Sequence, residues 1–201
     1  MFQVLLKGGW VMVPLVLCSL TALVIVVERI FYYCLNGRHD EQEFSMLKFY
    51  LTQGKLGEAK AAVTKWDSPL GRMTETGLRQ LEKDPDSAEQ AMENIGTAEV
   101  KKMQRGLGVL DTIVTASPLL GLLGTVTGII RAFSALSLTG GTQSAQLGAG
   151  IAEALYATAF GLLIAIPSLF IVNLFYGIVD KRAQELTCNG QEVLALLKKA
   201  R

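Results

Sequence analysis

One histidine and three cysteines among 201 residues leave little material for metal chemistry or a disulfide framework. Cys18, Cys34 and Cys188 are odd in number and lack metal-like spacing, so reduced thiols are the simpler reading. His39 stands beside charged residues with no second ligand-type partner near it, which fits a solvated loop position. A glycine-rich nucleotide loop and a nucleophile elbow are both missing, and Gly106-Leu107-Gly108 is too short to count as either. The net charge is only +1, and the polar middle of the chain is near balance, so nucleic-acid binding has no electrostatic footprint. No catalytic residue, cofactor or metal site is assigned, and the chain is not read as an enzyme.

Charge is also missing locally. Residues 8–27 (GGWVMVPLVLCSLTALVIVV) carry none, nor do 112–130 or 154–179. About 20 apolar residues span a bilayer as a helix, so each run is long enough to cross. A cleaved signal peptide is the rival reading for the first run. That run is long for such a segment, and Glu28-Arg29-Ile30-Phe31-Tyr32-Tyr33 follows it in place of a small-residue cleavage site. Trp10 at one end and Phe31, Tyr32 and Tyr33 at the other suit interfacial belts.

Residues 35–107 differ in kind. They are rich in Glu, Lys, Gln and Arg, and Leu47, Leu51, Leu56, Ala59 and Val63 recur at helical spacing. Asp84-Pro85-Asp86-Ser87 reads as a turn, with Ser87 as N-cap and Gln90 three residues on. The expected fold is an all-α membrane protein with three transmembrane helices and a helical cytoplasmic domain. Its segments are transmembrane helix 8–33, cytoplasmic domain 35–107, transmembrane helix 108–135, periplasmic loop 136–150, transmembrane helix 151–179 and cytoplasmic tail 180–201. Twelve of the nineteen Lys and Arg lie between Arg29 and Arg105 and five lie from Lys181 onward. The positive-inside bias therefore places the N-terminus outside and the C-terminus inside.

The second and third runs are built on small residues. Gly121, Gly124 and Gly128 fall three or four apart, as do Ala154, Thr158, Gly161, Ala165 and Ser168. Such stripes let helix backbones approach closely, which replaces the hydrophobic drive that lipid removes. Pro167 removes one backbone hydrogen bond, and Ser168 or a neighbouring helix is expected to satisfy the freed carbonyl. Thr125 and Thr158 either line a polar path or bond to their own preceding turns. Arg131 and Glu153 fall near the outer ends of their helices, where they either pair or reach the interface, and Asp111 falls near the inner end. No ionisable residue lies deep in any run. If protons cross here, the titrating carboxylate must come from another chain.

Two segments, Ala116-Ser117-Pro118-Leu119-Leu120-Gly121-Leu122-Leu123-Gly124-Thr125-Val126-Thr127-Gly128-Ile129-Ile130 and Gly150-Ile151-Ala152-Glu153-Ala154-Leu155-Tyr156-Ala157-Thr158-Ala159-Phe160-Gly161-Leu162-Leu163-Ile164-Ala165-Ile166-Pro167, closely resemble the ExbB/TolQ/MotA proton-channel family. With three spans and this length, the chain is most similar to ExbB or TolQ, with ExbB preferred. The resemblance implies a homo-oligomeric ring, a pentamer, in the bacterial inner membrane, around an ExbD- or TolR-like single-span partner that supplies the membrane aspartate. It places Thr125 and Thr158 on the proton path and Glu153 at the family's acidic position. It implies work on a TonB-like energy transducer for outer-membrane uptake, or a TolQ-like role in envelope constriction. A passive membrane scaffold is the alternative of another class.

Overall fold

The computed structural model describes residues 9–35, 40–81, 85–138 and 144–199. Among these residues there is no strand, and seven α-helices follow in order. They are α1 (Met12–Leu35), α2 (Asp40–Thr52), α3 (Leu56–Val63), α4 (Pro69–Leu81), α5 (Pro85–Met103), α6 (Leu107–Leu138) and α7 (Ser144–Lys199). Three of the helical stretches are long and apolar enough to cross a membrane. His39 lies outside the described residues, and the three cysteines are free thiols.

The chain divides into two compact units. One comprises Met1–Glu28 with Gly106–Phe175, and the other Arg29–Arg105 with Tyr176–Arg201.

The first unit is apolar outside as well as inside. Val11, Met12 and Leu15 at the start of α1 pack against Leu120, Phe160 and Ile164. Many of its large side chains point outward, among them Leu17, Leu23, Leu122, Ile130, Leu163 and Phe170. A surface this apolar suits lipid, since water would penalise every one of these side chains.

The second unit packs like a soluble protein. Leu47 and Leu51 of α2, Ala59 and Val63 of α3, Leu70, Met73 and Leu78 of α4 and Met92 of α5 close on Leu186, Val193 and Leu197 of α7. The helical spacing of the apolar residues in 35–107 generates these faces. Each fully buried leucine or valine contributes about 1.5–3 kcal/mol. Glu99 is 2% exposed, and its carboxylate accepts from Arg72 Nε at 3.0 Å, Arg72 Nη2 at 2.7 Å and Lys102 Nζ at 2.7 Å. Burial pushes the Glu99 carboxyl up, but the Arg72 and Lys102 hydrogen bonds outweigh burial and hold it below the usual carboxylate range. Buried Arg29 donates to the carbonyls of Lys102 at 3.0 Å and Met103 at 3.2 Å, and Tyr33 donates to the latter at 2.8 Å. The last carbonyls of α5, which have no partner within the helix, are satisfied this way.

Two expectations need correction. The stretch 136–150 is helical to Leu138 and again from Ser144, so Gly150 belongs to α7 and not to a loop. A methyl group on Gly150 would sit 2.7 Å from Ala132 Cβ, so this turn is packed against α6, and packing overrides its weak helix propensity. Ser87 is not an N-cap. α5 opens at Pro85, whose fixed φ and missing N–H suit a first helical position, and the Ser87 hydroxyl accepts from Gln80 Nε2 at 2.6 Å.

The Glu99 cluster carries a testable consequence. Because the folded-state carboxyl is depressed, its stabilisation is present above the unfolded carboxylate range and is lost as pH falls through the folded value. Glu99→Gln should cost about 1–3 kcal/mol near neutral pH, less than a fully buried pair, since Arg72 is a third exposed. Thermal unfolding in detergent should show the gap to wild type closing on acidification. A gap that persists unchanged in acid would contradict this account.

Candidate functional site

Helices α6 and α7 meet along a seam almost without side chains. A methyl group on Gly121 would lie 3.0 Å from the Ala157 carbonyl oxygen, and one on Gly128 2.9 Å from Ala154 Cβ. On Gly161 it would fall 2.5 Å from the Ser117 carbonyl oxygen, and on Gly124 it would collide with Ala157 Cβ. Low numbers on α6 face high numbers on α7, so the pair is antiparallel. Ala154 and Ala165 are buried in the same face of α7, and Pro167 is exposed on another.

At one end of the seam Arg131 Nη1 and Glu153 Oε1 pair at 2.9 Å, with the glutamate the more enclosed. Gly9, at φ 71°, lies against that carboxylate just before α1 begins. Any side chain there would strike Glu153. The pair thus draws together the start of α1, the late part of α6 and the early part of α7. Asp111, near the other end, is exposed.

The two threonines behave differently. Thr125, half-buried, donates to the Leu122 carbonyl of its own helix at 2.7 Å. Thr158, also half-buried, donates across the seam to the Gly121 carbonyl at 3.0 Å. Each oxygen keeps a lone pair able to accept from water. Ser168 does not take up the carbonyl that Pro167 frees. Proline at 167 leaves Leu163 without its donor, whereas Ser168 donates to Ile164 at 2.7 Å, one residue along.

Sequence reasoning missed three residues of the seam: Ala157, Ala132 and Ser117. Ala157 hides among small neighbours, and Ala132 follows the charged Arg131. Ser117 continues the four-residue stripe below Gly121, which is the signal that could have found it. It is fully buried, and its hydroxyl has no partner among the described residues. Leaving a buried hydroxyl unsatisfied costs about 1–3 kcal/mol.

Residues 65–187 match the MotA/TolQ/ExbB proton channel family. Over 191 residues the chain is 33% identical to the biopolymer transport protein ExbB-like 1 of Synechocystis sp., covering 94% of this chain and 75% of that protein. It is 41% identical over 104 residues to the biopolymer transport protein ExbB of Pseudomonas putida, covering 51% of this chain and 32% of that one. With ExbB of Salmonella typhimurium it shares 51% identity over 73 residues, 36% of this chain and 30% of the relative.

The seam makes its own prediction. Gly161→Ala should destabilise the folded protein by about 1–3 kcal/mol, because a carbonyl oxygen cannot swing aside as a side chain can. Gly177→Ala, in the same helix with open space around it, should be neutral or stabilising by about 0.5–1 kcal/mol. Thermal unfolding of both variants in one detergent checks the contrast, and equal effects would contradict the close approach.

Proposed function

This chain belongs to the MotA/TolQ/ExbB proton channel family, and on that premise we propose that it is the ring-forming, proton-path subunit of an inner-membrane motor. Twelve of nineteen basic residues between Arg29 and Arg105 support an N-outside, C-inside orientation, which sets 136–150 on the periplasmic face and the polar unit in the cytoplasm. Protons enter near Glu153 and Arg131 and pass the Thr125 and Thr158 hydroxyls. They reach a carboxylate on a single-span ExbD- or TolR-like partner held in a pentamer of this chain. The observation carrying this reading is the bare seam: α6 and α7 offer hydroxyls and carbonyls but no Asp, Glu, His, Lys or Arg between Asp111 and Arg131 or between Glu153 and Asp180. A relay across the bilayer needs such a group, so the partner supplies it.

Protonation neutralises that carboxylate and removes the cost of holding charge in apolar surroundings, so the partner helix changes its preferred position against the ring. The motion does work on a TonB-like transducer, as expected of an ExbB-like subunit. A TolQ-like role in envelope constriction would use the same steps. The hydrogen bonds of Thr125 and Thr158 to carbonyls favour one further reading, in which both residues only pack and the chain is a passive scaffold.

Proton flux into vesicles, measured for the chain assembled with its partner, separates these readings. Thr158→Val should lower flux by about a hundredfold, the low end of what a positioned proton-transfer group contributes. The mass of the complex should stay the same. Full flux from an intact valine complex would mean that Thr158 only packs, whereas a passive scaffold would add no flux even with the native threonine.

A further inference from the structure

On the proton-channel reading above, we infer that Ser117 is a further residue of the proton path, where its hydroxyl takes a water molecule on the release side. Most threonine and serine hydroxyls described in the apolar parts of α6 and α7 already donate to a carbonyl. Thr112, Thr115, Thr125, Thr127 and Ser168 donate to their own helices, and Thr158 donates to Gly121. Ser117 is as buried as any of them, yet among the described residues its oxygen has no partner. Its neighbour Pro118 lacks an N–H, so the Val114 carbonyl, one turn back, loses its helical donor. An unpartnered hydroxyl and a carbonyl that has lost its helical donor thus stand on one turn. Gly161 packs against this turn and has no side chain to answer either. Water can answer both at once.

Spacing supports the assignment. At about 1.5 Å per residue, Arg131, Thr125, Gly121 and Ser117 follow one another along α6 at steps of roughly 9, 6 and 6 Å. Asp111 lies roughly 9 Å beyond. Without Ser117, the stretch from Gly121 to Asp111 would run roughly 15 Å with no seam-facing polar side chain. Thr115 is on that stretch, but it is exposed and bonded to its own helix. The Ser117 oxygen has no surface open to solvent in this structure, so the proposal requires the seam to loosen for water to reach it.

Ser117→Ala removes the hydroxyl and adds no bulk. In the assembled complex it should leave the unfolding temperature unchanged or raised, since an unsatisfied polar atom is gone, while proton flux falls about tenfold. A purely structural serine would not separate the two readouts. Flux within about twofold of wild type in an intact complex overturns the inference. If the alanine variant does not assemble, Ser117→Cys in a chain whose three native cysteines are replaced is read instead. Labelling by a small charged methanethiosulfonate in the assembled complex supports water access, and an unlabelled thiol overturns it. Thr158→Val is measured alongside. If it too keeps full flux, the path proposed along the Thr158 seam has failed. If it alone loses flux, only the role of Ser117 has.

Discussion

The approach of two helix backbones, nearly unpadded by side chains, is the constraint on which the apolar unit depends. In lipid, apolar side chains gain nothing from leaving the solvent for one another, so helices associate through packing and hydrogen bonds. Gly121, Gly124, Gly128 and Gly161 bring α6 and α7 into main-chain contact. That proximity is what allows Thr158 to reach the Gly121 carbonyl and Arg131 to reach Glu153. Bulkier residues at the four glycines would pull both interactions out of range. The polar features of the candidate site are therefore products of the seam's smallness.

The polar unit solves a different problem with different means. Its helices are short, its apolar faces are covered by one another and by residues 186–197 of α7, and its buried charge is answered. Glu99 is satisfied by Arg72 from α4 and Lys102 from its own helix, and Arg29 satisfies the end of α5. Each unit thus meets the demand its solvent imposes. Water allows polar helices but penalises open apolar faces, whereas lipid allows the apolar faces and penalises any polar group left alone.

Much of this was legible in the chain. Three charge-free runs announced three spans because a bilayer tolerates no frequent charge, and period-four leucines announced the helices of the polar unit. The glycine stripe was visible as a stripe. What remained hidden depended on the third dimension. Glu99 and Arg72 are 27 residues apart, and nothing local links them. The turn around Gly150 looked like loop because its composition is poor for helix, and only Ala132 opposite explains why it holds. The pairing of Arg131 with Glu153 is not legible locally, since two side chains at helix ends can reach water as easily as each other. Ser117 was legible as a small residue and illegible as an unpartnered one, because partners are not written in sequence.

The glycines of the seam also differ in how their loss could be repaired. Gly124 faces the Cβ of Ala157, so a bulkier residue at 124 has a neighbour that can be trimmed, and Ala157→Gly is the natural suppressor. Gly150 stands in the same relation to Ala132. Gly161 and Gly121 do not, because what they meet first is the main chain of Ser117 and of Ala157. No second-site change shortens a peptide bond. Divergence along this helix pair is then free to wander in compensated steps at 124 and 150, while at 121 and 161 drift has no partner to move with.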